Sequence, residues 1–349
     1  MYTLKEILIK EIWDDFIINA NFEFYSFLQS WEWGLFQELS GKKIIRYGIY
    51  EKGTKLVGVM LIIKVYAKRG NYYFVPHGPL IKGDFFEVLS SILGDLKVFA
   101  VLEGMNFIRF NSAVKNTIEN KKAFEKLNFI NAPMHEHAED THLLDLTIPE
   151  EQLLNNIKKK DRYLINRAIK ELVEIRIDNK IDHVEKLIKM HTQHANRKDG
   201  KKTYTAFSSD FIKDLYKVFG DDISTISASY NGKIESILMT IKFGKVCVYY
   251  IAASDIISHK FSPNYLCQWE AIKKAKNDGC EIYNFWGVSP DNNPKHPIAG
   301  VSQFKRKFAG YDYSLLHAQD LVLSPFYYIN WIVETFRRIK RGYYYKKPE

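Results

Sequence analysis

Apolar runs of strand length, punctuated by turn residues, recur along the chain. Residues 44–50 and 56–66 predict two strands joined at Glu51-Lys52-Gly53, and 72–75 predicts a third that ends in Pro76-His77-Gly78-Pro79. A short helix over 29–40, with Ser30 as its cap, precedes them. A helix over 85–103, a strand over 107–110, a helix over 115–127 and a strand over 142–146 follow. The second half repeats the order. Strands over 223–230 and 234–243 meet at Asn231-Gly232, the pair that best tolerates the positive φ of a tight hairpin. Next come a strand over 246–252, a helix over 263–278, a strand over 281–285, a helix over 301–308 and a strand over 313–317. Ser262 is the expected cap of the helix over 263–278, and Pro263 sits in its first turn, where a missing N–H costs nothing. Helices over 151–171, 181–197 and 209–219 lie between the halves, and a helix over 325–340 forms the tail.

A three-strand meander, helix, strand, helix, strand, present twice, predicts a mixed α/β (α+β) chain of two tandem acetyltransferase-like (GNAT) domains, each a mixed sheet flanked by helices. The expected division is residues 1–142 and 143–320, with 321–349 packing back on the first domain.

Composition fits this reading. The 349 residues suffice for two domains, and 46% hydrophobic with 26% charged residues excludes general disorder. A net charge of +9 favours polyanionic partners or simply a soluble basic surface. The three cysteines, Cys247, Cys267 and Cys280, are odd in number and too widely spaced for a disulfide framework or a zinc pattern, which fits a reducing cytoplasm; Cys247 and Cys267 lie in apolar-patterned segments and are expected to be buried thiols. No apolar run reaches the ~20 residues that span a bilayer, and residues 1–13 have no signal-peptide core. His191 and His194 are helical neighbours without a third ligand, so no metal is expected. There is no Walker loop, G-x-S-x-G or Cys-His nucleophile pattern.

An acyl-CoA pyrophosphate needs a Gly-rich run of backbone N–H groups at a helix N-terminus. The corresponding stretch in the second half, His259-Lys260-Phe261-Ser262-Pro263-Asn264, has no Gly and loses a donor at Pro263. In the first half, Lys82-Gly83-Asp84 puts a carboxylate where the phosphate would lie. No cofactor is expected.

Several ordered segments carry a family likeness. Tyr249-Tyr250-Ile251-Ala252-Ala253-Ser254 resembles Y-L-Y-G-A-S, and residues 262–273 (SPNYLCQWEAIK) resemble P-x-Y-L-L-x-W-E-A-I-K. Tyr283-Asn284-Phe285-Trp286-Gly287-Val288 is similar to Y-D-F-x-G-I. His296-Pro297, Gly300-Val301 and Phe304-Lys305-Arg306-Lys307-Phe308 resemble H-P…G-L-x-x-F-K-x-G-F. Agreement in the first half is looser, at Phe27-Leu28-Gln29-Ser30, Trp33-Gly34 and Pro76-His77-Gly78-Pro79. Together these resemble the Fem (FemABX) family of peptidoglycan peptidyltransferases, in the compact form without a coiled-coil arm.

The resemblance implies transfer of an amino acid from aminoacyl-tRNA to the stem-peptide side-chain amine of a peptidoglycan precursor, lipid II or UDP-MurNAc-pentapeptide. It implies Lys305 as the group facing the tRNA end or the oxyanion, with Phe304 shaping the same channel; a solvated lysine in a charge run and a plain core Phe are the alternatives. Arg197 matches the family's diphosphate-contacting arginine, and Tyr249 a binding-site tyrosine. Trp33 lies in the loosely matching first-half motif, and Gln37 stands where the family often has Lys. Asn111 replaces a carboxylate and cannot act as a base. Lys158, Arg162 and Arg167 fall in a block similar to K-x-x-R-Y-N-I-R-x-A; with Lys307 they offer tRNA phosphates a basic face, or form an ordinary solvated helix. The aromatic and cationic tail suits either peripheral contact with the inner membrane leaflet or a helix packed on the first domain with a frayed basic end. Two further functions remain open: an N-acyltransferase using acyl-CoA or acyl carrier protein, and a non-catalytic tRNA- or precursor-binding homologue.

Overall fold

A computed structural model describes residues 2–178, 181–195, 207–255 and 261–348. The chain divides into two compact units, Met1–Asp140 with Tyr313–Glu349, and Thr141–Asp312.

The first unit begins with β1 (Tyr2–Glu6), α1 (Lys10–Asn19) and α2 (Trp31–Leu39). It continues through β2 (Lys43–Glu51), β3 (Lys55–Val65), β4 (Tyr72–Pro76), β5 (Leu80–Ile81), α3 (Phe85–Leu102), β6 (Phe107–Asn111), α4 (Ile118–Lys126) and β7 (Phe129–Asn131). The second unit carries β8 (Asp140–Asp145), α5 (Glu150–Asn156), α6 (Lys159–Lys170), β9 (Glu174–Asp178), α7 (Ile181–Ala195) and α8 (Ser209–Phe219). Then come β10 (Ile223–Tyr230), β11 (Lys233–Phe243), β12 (Val246–Ser254), α9 (Pro263–Asn277), β13 (Ile282–Gly287), α10 (Ala299–Arg306) and β14 (Tyr311–Ser314). β15 (Gln319–Val322) and α11 (Tyr327–Arg341) return to the first unit.

The first sheet runs β1-β2-β3-β4-β6-β15-β7, with β5 on β3; the second runs β14-β8-β13-β12-β11-β10-β9. The first is antiparallel apart from the parallel pair β4 with β6; in the second, β9 to β12 pair antiparallel in turn, as do β8 and β13, while β12 and β13 are parallel. In the first sheet that pair stays in register from Tyr72–Phe107 to Pro76–Asn111. In the second, pairing stops at Val248–Asn284, although β12 continues to Ser254 and β13 to Gly287. The two strands part from each other there, and their ends, no longer paired with one another, frame the site described below.

Helix packing follows residue spacing. α3 buries Val88, Leu89, Ile92, Leu93, Leu96 and Ala100, the repeat of three and four that puts one apolar stripe on the sheet. Each such Leu or Ile contributes about 1.5–3 kcal/mol. Asp84 caps α3, its Oδ1 accepting the N–H groups of Phe86 and Glu87 at 3.0 Å each. α9 is buried nearly all round, through Leu266, Cys267, Trp269, Ala271 and Ile272, between the sheet and α6. Cys247 and Cys267 are free and buried as expected, and so is Cys280.

Four expectations need correcting. The single helix over 151–171 is two, because the chain extends at Ile157 (ψ 132) and Lys158 (ψ 140) between α5 and α6. Ser262 takes a left-handed φ of 53° and makes no side-chain cap, so Pro263 alone sets the start of α9. The strand over 142–146, the last element of the first-half order, belongs as β8 to the second sheet, where it pairs with β13. The place beside β6 is filled instead by β15, and the strand expected over 313–317 ends at Ser314.

Candidate active site

In the second unit, the splayed ends of β12 and β13 present Tyr249 and Tyr250 on one side and Phe285 and Trp286 on the other. Tyr249 meets Phe285 edge-on at 6.5 Å, and Tyr250 meets Trp286 at 6.0 Å. Trp286 has a φ of 63°, and its N–H is held by Asn284 Oδ1 at 2.8 Å, so the strand end is bent by a local hydrogen bond. Lys305, in the last turn of α10, reaches this place. Its Nζ donates to the Gly287 carbonyl at 2.7 Å and stands 5.6 Å above the Tyr249 ring. Lys305 is 7% exposed, and no carboxylate pairs with it among the described residues. Burial without a counter-ion pulls its pKa down from 10.5 to about 7. A lysine poised there can hold or release a proton at neutral pH, and as a cation it faces one carbonyl dipole and one ring face.

Neighbouring groups fix α10. Arg306 pairs with Asp312 at 2.8 Å and donates to the Ser289 carbonyl at 2.7 Å. Ser302 accepts the Ser289 N–H at 2.7 Å. Lys307 donates to the Tyr265 hydroxyl at 2.6 Å and lies 4.0 Å from Asp161, joining α10, α9 and α6. Phe304 packs edge-on against Tyr265 and Phe308, both at 5.3 Å.

The first unit holds a second cluster, at the ends of β4 and β6 and on α2. The Asn111 Oδ1 accepts the His137 N–H at 3.2 Å, and the His137 ring meets Trp33 edge-on at 5.9 Å and stacks on Phe74 at 5.6 Å. Trp33 Nε1 and Asn111 Nδ2 are buried with no hydrogen-bond partner among the described residues, two donors without acceptors there. Gln37 is buried one turn beyond Trp33 on α2. His77 has a φ of 46° and is fully buried between Ser26 and the Ala138 carbonyl; desolvation pulls its pKa down to about 4, so it is neutral. The same cause holds His137 well below the usual histidine range.

The FemAB family model matches residues 8–236 and 232–329. The chain belongs to the FemAB family. It is 38% identical over 61 residues to the aminoacyltransferase FemA of Staphylococcus aureus (strain MW2), a match covering 18% of this chain and only 14% of FemA. The crystal structure of FemX superposes with a TM-score of 0.80 at 14% identity, over 95% of this chain and all of that one. A tandem GNAT protein from the clavulanic acid biosynthesis pathway gives a TM-score of 0.56 at 8% identity, over 93% of this chain and 99% of that one. The family resemblance and the tandem acetyltransferase-like fold read from the sequence are thereby established.

Within this FemAB-family chain, the residues singled out from sequence fall into separate groups. Lys305 and Tyr249 meet at the splayed strands, and Phe304 lies against the core beside them. Trp33 and Asn111 meet through His137, a residue that sits in an irregular stretch and gave no periodic signal. Arg197 lies outside the described residues. Of the proposed tRNA contacts, Lys158 is exposed at the start of α6 and Arg167 is half-buried. Arg162 points elsewhere: its Nη1 donates to the Asn155 carbonyl at 3.0 Å and to the Leu154 carbonyl at 3.3 Å, closing the C-terminus of α5. His135, Glu139 and His317 bring ligand-type atoms within 4.8 Å of one another, a grouping that sequence spacing does not reveal. The His317 Nδ1 bonds Glu139 at 2.8 Å, its Nε2 bonds the Ala132 carbonyl at 2.8 Å, and Tyr345 stacks on its ring at 3.7 Å. These bonds fasten the tail to the first unit.

Proposed function

We propose that the chain is an aminoacyltransferase that moves an amino acid from aminoacyl-tRNA to the stem-peptide side-chain amine of a peptidoglycan precursor, carried on lipid II or as UDP-MurNAc-pentapeptide. On this reading it acts in the cytoplasm, where both substrates are made. The observation that carries the reading is the buried, carboxylate-free Lys305 at the splayed strand ends.

The reaction is aminolysis of an ester. The acceptor nitrogen attacks the aminoacyl carbonyl carbon, the carbonyl oxygen becomes an oxyanion, and the new C–N bond replaces the C–O bond to ribose. The attacking nitrogen loses a proton and the ribose oxygen gains one. Lys305 as an ammonium gives one N–H to Gly287 and keeps two for the oxyanion or the leaving oxygen. A pKa near 7 lets the same group pass a proton to ribose and recover it. The ester is already activated, so positioning and charge stabilisation suffice.

The unpaired donors Trp33 Nε1 and Asn111 Nδ2 suit a substrate rich in carbonyl and phosphate acceptors, and we assign that cluster to the precursor. The acyl-CoA reading is disfavoured in the first unit, because the Asp84 carboxylate already holds the α3 N–H groups that a pyrophosphate would need. Lys305→Met tests the proposal: transfer falls by about 100-fold or more while aminoacyl-tRNA retention on a filter stays within about threefold. Full transfer by the variant removes Lys305 from the chemistry.

A further inference from the structure

α11 is turned inside out. Its inward face is polar: the Tyr327 hydroxyl donates to Asp320 at 2.9 Å, Glu334 accepts from Arg109 at 2.9 Å, and Asn330 is buried. At about 100° per residue, Tyr328, Ile329, Ile332, Phe336 and Ile339 fall together on the opposite side. They are 50–70% exposed, where a helix of a globular protein ordinarily turns such a stripe to the core. Phe326, just before the helix, is 65% exposed.

The charges decide what such a stripe fits. Arg337, Arg338, Lys340 and Arg341 crowd the last turns, and Lys346 and Lys347 follow. Between residues 326 and 348 the sole acid is Glu334, and it faces Arg109. An apolar face with aromatic residues, edged by cations and free of outward acids, matches a surface that is hydrocarbon beneath and anionic above. The helix cannot cross a bilayer, because its other side is polar and tied to Arg109.

We infer that the outer face of α11 docks this protein on the surface of an anionic lipid bilayer, the helix lying in the plane of the interface. This inference does not rest on the reaction proposed above, and its test needs no substrate.

The test is flotation of the full chain with vesicles of phosphatidylcholine alone, or of phosphatidylcholine and phosphatidylglycerol in equal parts. The expected result is binding to the anionic vesicles at least about tenfold tighter, weakened at ~0.5 M salt. The double variant Ile332→Ser/Phe336→Ser loses about tenfold or more, as does Arg337→Glu/Lys340→Glu. These side chains are solvent-exposed, so both variants keep the parent thermal melt; deleting the helix would instead strip Glu334 from Arg109 and Tyr327 from Asp320. Equal or absent binding to the two vesicle types, or variants that bind like the parent, overturns the inference. So does a doubled mass in light scattering that Ile332→Ser/Phe336→Ser returns to a monomer's, since the stripe would then be a contact between two copies.

Discussion

Arg109 and Asp320 are joined by two hydrogen bonds of 2.7 Å, both side chains at or below 1% exposure, across 211 residues of sequence. Glu334 closes the group from α11, and Tyr327 donates to the same aspartate. The guanidinium's two faces of N–H donors are thereby matched, so its burial is compensated and its pKa stays above the usual arginine value. Removing the Asp320 charge leaves the buried guanidinium with Glu334 as its single carboxylate partner. Asp320→Asn is predicted to cost about 3–5 kcal/mol in urea unfolding. A loss under about 1 kcal/mol would mean that the tail is not held this way.

Lys305 gives the chain a distinctive pH dependence. Its folded pKa, about 7, lies below the unfolded 10.5, so between these values the unfolded state holds the extra proton and stability rises with pH. The slope from this one group is at most about 1.4 kcal/mol per pH unit. Lys305→Met removes a buried cation and is predicted to raise stability at pH 6 and flatten the rise from pH 7 to 10. Parallel wild-type and variant stability curves would contradict the burial of this amine.

Arg162 and Lys158 separate structure from binding. Arg162→Ala frees the Leu154 and Asn155 carbonyls at the end of α5 and is predicted to cost about 1–2 kcal/mol of stability. Lys158→Ala leaves stability within about 0.5 kcal/mol and lowers the salt dependence of tRNA binding by about one phosphate contact. The opposite assignment of the two effects would restore Arg162 as a phosphate ligand.

Gly310 follows α10 with a φ of 94°, and a Cβ there would lie 2.2 Å from the Leu143 carbonyl oxygen. Gly310→Ala is predicted to destabilise by at least about 2 kcal/mol. Strain here would pull on the segment that carries Lys305, so residual transfer activity should fall along with the melting temperature.

The sequence makes the sheets' central strands and the main helices legible, because those elements bury long apolar stripes. It hides the edges. Glu174–Asp178 (EIRID) has only two apolar positions, since β9 ends its sheet and needs little core-facing surface. The sequence also hides β15, which is interior to its sheet but only four residues long and is held through Asp320, whose partner Arg109 is far away in sequence. The family motifs made Lys305 visible as a candidate. Its burial was not visible, because Lys305-Arg306-Lys307 reads as a solvated run, whereas the three side chains go to Gly287, Asp312 and Tyr265. His137 had no signal at all: its role comes from where the chain between β7 and β8 places it.

The most direct test of the account is transfer of a radiolabelled amino acid from a mixed aminoacyl-tRNA pool to lipid II or UDP-MurNAc-pentapeptide, with and without RNase. The expected result is label on a precursor that RNase pretreatment abolishes. No label on either precursor, with transfer from acyl-CoA or acyl carrier protein instead, would contradict it.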